Sequence, residues 1–395
     1  MKQYITHMPE RSQSCRKQAA TLCLSAVITA LLPVTVHAGS PEFARTSEEW
    51  AALQDNVLEY NELADLIHEY NVTVQNNQYT YNKFIKDYGR TKTDVADKYR
   101  ELAEDLEDDR TGEDGAGRIT DYQLEQQAKQ LREQADDNVE DSRTYQLTYA
   151  KAEDSLVQSA QSNFISYYKN QLELESALET KKTLENAYSL AAAQRQAGTV
   201  TDTDVLDARE AVLNQETTIA NLEQTIENTR QTLIVTCGWQ GSDQPEIQNV
   251  PEVELAQIDA IDLEADKQTA LETNYTLRIN QIKLENAENA ENKENIQKTI
   301  DANKRQIGVS VTSAWQSLNT ARLSYEQAIS DEAAEERNMT LAQQKWNAGM
   351  ITKYDYENQQ STLASKKLAV QTAQLDLLTA LENYRWNVNG LASAE

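Results

Sequence analysis

Between Pro41 and Pro245, and again from Pro251 onward, the chain holds no proline: residues 42–244 and 252–395 run without one. Proline breaks a helix interior by removing a backbone donor and clashing with the preceding turn, so its absence over such distances permits very long helices. Glycine is scarce too, 11 in 395 residues where ~7% is usual. That leaves too few turns for an all-β or α/β domain, and long helices remain. With 64 Asp+Glu against 37 Lys+Arg the formal charge is −27. Such a chain repels phosphate, and no nucleic acid is expected as a partner.

Arg16 and Lys17 precede an apolar stretch from Ala19 to Val36 that ends in Val36-His37-Ala38, with small residues where a signal peptidase accepts them. Residues 1–38 are read as a signal peptide, because an apolar core of ~15 residues interrupted by Pro33 is short for the ~20 of a membrane anchor. The mature chain from Gly39 then carries 33 Lys+Arg against 63 Asp+Glu and keeps His68 and Cys237 as its one histidine and one cysteine. A single cysteine closes no internal disulfide. One His and one Cys about 170 positions apart supply neither a metal ligand set nor a nucleophile–base pair. No catalytic residue, metal or cofactor is expected, and Cys237 reads as a small apolar residue at a helix end.

The chain repeats itself at an offset of 151. Ala197-Gly198-Thr199-Val200-Thr201 aligns with Ala348-Gly349-Met350-Ile351-Thr352, and Asp204 falls on Asp355. Downstream, Val205, Val212, Ile219, Ile226 and Leu233 recur every seven residues, and their partners are Tyr356, Leu363, Val370, Leu377 and Tyr384. A seven-residue apolar period gives each helix a seam for another helix. A glycine in the left-handed conformation stops the incoming helix, and Thr or Asp a few residues on caps the outgoing one, so each repeat reads as helix, tight turn, helix. Upstream, Phe164 and Trp315 occupy matching positions and read as seam residues.

The stretches Gly198–Asp204 and Gly349–Asp355, each preceded by a long helix and followed by a heptad-bearing one, resemble the tip hairpins of the TolC family of outer-membrane efflux proteins. Tyr70-Asn71-Val72-Thr73 and Thr273-Asn274-Tyr275-Thr276 resemble that family's helix-start motif without its usual proline. The likeness covers most of residues 60–390. It implies a homotrimer whose hairpins close into a helical tunnel. It also implies tips that meet a membrane-fusion adaptor protein and its ABC-type or similar inner-membrane transporter. On that reading Gly198, Thr199, Val200, Thr201, Gly349, Met350, Ile351 and Thr352 form adaptor-docking tips. Asp204, Asp207 and Asp355 become pore-constriction candidates, with helix capping as their plain alternative. Val200, Met350 and Ile351 are expected to stand exposed as apolar knobs. The acid excess reads as solvated helix faces, with an acidic lumen lining as the sharper alternative.

The family inserts two membrane strands per repeat, and such strands alternate apolar and polar residues over about ten positions. Here the corresponding segments are Glu107–Gly117 and Asn286–Asn295, both strongly polar. Direct membrane insertion is therefore doubtful, and the expected fold is all-α: two elongated long-helix hairpin repeats, the helical tunnel without the barrel. Repeat 1 spans 39–238, with its tip at 197–204 and its opposite turn near 107–119. A Gly/Pro-bearing linker occupies 239–262. Repeat 2 spans 263–390, with its tip at 348–355 and its opposite turn near 286–296, and 391–395 form a tail. Residues 120–196 and 296–347 are each expected to be one helix, with no strand longer than three residues. Repeat 1 should project roughly 35–40 Å of helix beyond repeat 2. The function implied is that of an exported cell-envelope component of an efflux or secretion complex. The alternative is an exported coiled-coil scaffold with no transport role.

Overall fold

The structure, a computed structural model, describes residues 46–112 and 116–394. The signal peptide expected at 1–38, Glu113, Asp114 and Gly115 of the expected turn, and Glu395 lie outside the described residues. The chain enters through α1 (Ser47–Leu53), β1 (Val57–Leu58), a 3-10 turn at Tyr60–Glu62 and α2 (Leu63–Tyr70). Repeat 1 follows as α3 (Val72–Tyr88), α4 (Lys92–Asp108), α5 (Ala116–Asp136), α6 (Ser142–Gln196) and α7 (Asp202–Thr236). The connecting segment holds β2 (Glu246–Ile247) and α8 (Leu255–Asp259). Repeat 2 is α9 (Leu263–Thr273), α10 (Tyr275–Asn286), α11 (Ala290–Asn347) and α12 (Lys353–Trp386), closed by a π turn at Asn387–Leu391. The expected all-α class holds. Among the described residues the only sheet is the two-residue parallel pair β1–β2, and no helix is long and apolar enough to cross a membrane.

Asparagine joins helices end to end. The Asn71 side chain accepts from Thr73 N and Val74 N to start α3, while its Nδ2 donates to Thr236 O at 2.8 Å, the last turn of α7. One residue thus caps two helices and satisfies orphan groups of both. In repeat 2, Asn274 accepts from Leu277 N to start α10 and donates to Gly390 O and Ala392 O beyond α12. Because α3 continues α7, their 17 and 35 residues together nearly match the 55 of α6, which runs antiparallel beside both. At 1.5 Å per residue α6 is about 80 Å long.

Each repeat keeps its core at this junction. Phe164, Leu63, Leu66, Ile67, Leu233 and Ile234 are buried around the first. Leu277, Ile307, Val311, Leu318, Leu377 and Leu381 are buried around the second. Residues 391–394 are no loose tail, since Ala392 and Ala394 are buried in that second core. The heptad positions face inward: Val205, Val212, Ile219 and Ile226 are half-buried, and Leu377 and Tyr384 are buried. Cys237 is buried as expected for a small apolar residue, and desolvation pushes its thiol up to about 12.

The four long helices lie in an open row, α7 against α6, α6 against α12, and α12 against α11; α7 and α11 do not pack on each other. That leaves α7 and α11 as edges. They carry exposed apolar residues, Leu206, Leu213 and Val235 on one and Val309, Leu323 and Leu341 on the other.

The expectation of one helix over 120–196 is wrong. The chain breaks between Asp136 and Ser142, level with a second break at Gly89 between α3 and α4. At the first break the Asp141 carboxylate accepts from Arg143 N and Thr144 N and caps α6. At the second, Thr91 and Asp94 form a capping box that starts α4. Ser142 N and Oγ both donate to Arg90 O, and Asn138 Nδ2 to Lys92 O, which locks the two breaks side by side. The α10–α11 turn lies at the same level, through Asn286 Nδ2 to Asp141 and Lys92 Nζ to Glu288. Repeat 1 therefore passes the point where repeat 2 turns, as a separate α4–α5 hairpin jointed to the body. The 17 residues of α4 make this arm about 26 Å, shorter than the length expected from an unbroken helix. Helix 296–347 is continuous within α11.

Candidate functional site: the hairpin tips

Both tips are built by the same hydrogen bonds. After α6, Gly198 N donates to Arg195 O and Thr199 N to Gln194 O; after α11, Gly349 N donates to Trp346 O and Met350 N to Lys345 O. These are the paired bonds of a Schellman ending, which requires a left-handed residue after the C-cap. Gly198 and Gly349 supply it with φ of +76° and +69°. The outgoing helices start in matching capping boxes. Asp204 N donates to Thr201 Oγ1, while Thr201 N donates to Asp204 Oδ2 at 2.7 Å. Asp355 N donates to Thr352 Oγ1, and Thr352 N donates to Asp355 Oδ2 at 3.1 Å.

Asp204 and Asp355 thus complete the capping boxes of α7 and α12. Asp207, one turn further along α7, is exposed, and its repeat partner Asn358 is half-buried. The knob expectation needs correction. Met350 is 75% exposed, but Val200 and Ile351 are half-buried. Each precedes the N-cap and stands five residues before Val205 or Tyr356, the spacing of a hydrophobic staple that packs a residue back onto its own helix. Thr199, Thr201 and Thr352 are exposed.

The capping carboxylates titrate low. The backbone N–H of Thr201, then its hydroxyl, holds Asp204 below the usual aspartate range; the Thr352 hydroxyl, then its N–H, does so for Asp355. A depressed folded pKa contributes stability that is complete above the unfolded value of about 3.9 and lost as pH falls through the folded one. Both tips should hold at about pH 5 and fray only below about pH 4. An NMR titration of the Thr201 and Thr352 amides checks this, and amide shifts that move only above about pH 5 would contradict it.

Among the described residues no group of His, Cys, Asp or Glu is arranged to hold a metal ion. His68 pairs with Glu153 between α2 and α6, and Cys237 lies elsewhere as the C-cap of α7.

The row of long helices ending in two capped hairpins is similar in fold to solved TolC-like outer-membrane channels. A membrane protein from Pseudomonas aeruginosa superposes with a TM-score of 0.52 at 11% identity, over 84% of this chain and 90% of that one. The outer-membrane channel OprN gives 0.50 at 12% identity, over 87% and 92%. The CmeC outer membrane channel of Campylobacter jejuni gives 0.48 at 11% identity, over 94% of both chains. At such identities the first two likenesses carry the fold alone. No family model and no curated protein matches the sequence.

Proposed function

We propose that the chain is an exported component of an efflux or secretion complex. Copies of it assemble, three in number, into a helical conduit whose tips dock to a membrane-fusion adaptor and through it to an inner-membrane transporter. The observation that carries this reading is the open row of helices together with the internal repeat. Within the chain, α12 packs on α6 through Lys169–Asp376, Gln161–Trp386 and Glu179–Ser361. Moving each residue by the repeat offset puts Thr320 opposite Thr225, Thr312 opposite Val235 and Ser330 opposite Glu210. These pairs lie on α11 and α7, the two edges, which share no extensive packing within one chain. The interface already used once internally is thus available again between copies. Because it is heterologous, it repeats head to tail, and the three-copy reading requires that the rotation between copies closes a ring. Exposed apolar edge residues have no cover in a single copy.

The test is cross-linking in the mature chain from Gly39, where Cys237 is the one native cysteine. Thr225 and Thr320 are both exposed, and the buried Cys237 thiol, with its raised pKa, does not compete. Thr225→Cys with Thr320→Cys should give covalent dimers and trimers with a short bis-maleimide, stopping at three, while either single variant gives none of this ladder. Monomer alone from the double variant would overturn the assembly.

A further inference from the structure

The two tips share a turn and differ in what they expose. At the first, Arg195 lies across the turn from Asp202 and donates to both of its carboxylate oxygens, at 2.5 and 2.9 Å. Thr199 turns its hydroxyl back onto Gln194 O at 3.0 Å. That tip's polar groups are largely spent on each other. At the repeat offset, Arg195, Thr199 and Asp202 become Trp346, Met350 and Lys353. Trp346 stacks on Tyr356, with ring centroids 5.6 Å apart and planes 16° from parallel, and the Tyr356 hydroxyl pairs with Gln343. Met350 has no hydroxyl to turn inward and is 75% exposed. Lys345 and Lys353 are exposed on either side of the turn.

Charge separates the tips as well. Residues 194–210 carry four carboxylates against two guanidiniums, whereas the equivalent residues 345–361 carry two carboxylates against two lysines. In a chain of net −27, the second tip is locally neutral; Lys345 stands exposed beside the apolar residue, and Lys353, also exposed, pairs with Glu357 one turn along α12 at 3.3 Å. Trp and Met are enriched at the centres of protein interfaces, and Met adapts its shape to irregular sockets.

From this contrast we infer that the second tip, Met350 between Lys345 and Lys353 together with Trp346, is the primary docking knob. Its partner presents an apolar socket edged by carboxylates. The inference rests on the tip-docking reading proposed above and assigns that docking to one of two otherwise equivalent turns. A socket with acidic edges meets opposite charge at the second tip and like charge at the first, and like charges across an interface suppress the wrong pairing.

The experiment places the photo-cross-linker p-benzoylphenylalanine at position 350 or at its repeat partner 199, in the full chain in its native envelope, and identifies the adducts by mass spectrometry. The expected result is an adduct with an exported, membrane-anchored protein, roughly tenfold more abundant from 350 than from 199. The cross-linked peptide should be an apolar segment flanked by Asp or Glu. Lys345→Glu with Lys353→Glu should lower the 350 adduct by a similar factor while helicity by circular dichroism is unchanged. Equal yields from both positions, a cross-linked segment flanked by Lys or Arg, or indifference to the charge reversal would overturn this assignment and leave tip docking standing. No adduct from either position, or adducts only with second copies of this chain, would overturn both.

Discussion

Gly238→Ala should destabilise the chain by about 3 kcal/mol, from about 1 for forcing an L residue into a left-handed conformation and about 1–3 for overpacking. Gly238 has φ of +98°, and a Cβ there would lie 2.3 Å from Tyr70 Cβ and 3.1 Å from Tyr70 O. Tyr70 ends α2 next to Asn71, the residue that caps both α3 and α7, so the neighbour cannot yield without disturbing the junction. Gly198→Ala is the control, because its φ is also positive but nothing lies within 4 Å of its Cβ. It should cost only about 1 kcal/mol, the conformational part. Urea unfolding with unchanged slope measures both. Equal losses for the two variants would mean that Gly238 acts through backbone strain alone and that the junction is not tightly packed.

Phe164→Ala should cost about 3–5 kcal/mol, the range for removing a large aromatic from a core that only partly collapses. Phe164 is fully buried and meets Tyr60 edge-on at 5.4 Å and Tyr168 at 5.9 Å. It ties α6 to the N-terminal segment at the place where α3 and α7 meet, so the cavity opens at the junction of three elements. Its repeat partner Trp315 is only partly buried against the second core, and Trp315→Ala should cost clearly less. A smaller loss at Phe164 than at Trp315 in the same urea series would contradict this ranking of the two seams.

The tips were the most legible part of the sequence because a Schellman glycine and a Thr-x-x-Asp capping box are local chemistry, readable without knowing what lies nearby. Their duplication in register made a chance match implausible. The heptads were legible for the same reason, since period alone says which face turns inward. The breaks at Gly89 and Asp137–Asp141 are less legible, although Gly89 precedes Thr91-Lys92-Thr93-Asp94, which carries the same Thr-x-x-Asp box as the tips. Apolar residues resume immediately at Val95, Tyr99, Leu102 and Leu106, so the periodicity runs through the joint and hides it. The half-burial of Val200 and Ile351 was encoded in their staple spacing. The docking of Ala392 and Ala394 was not, because it depends on backbone carbonyls meeting Asn274 and Asn303, and carbonyls carry no sequence signature. Which helices form the edges of the row is likewise a tertiary fact, and it is the one on which the functional reading turns.

The central claim is that these edges meet between copies to enclose a passage. Electron cryo-microscopy of the purified mature chain, at a concentration where sedimentation shows one assembled species, tests it most directly. The account predicts a closed ring of three copies with α7 of one against α11 of the next, around an open axial channel. A ring whose axis is filled by side chains would retain the fold and leave a scaffold, and a compact monomer that persists at micromolar concentration would contradict the assembly itself.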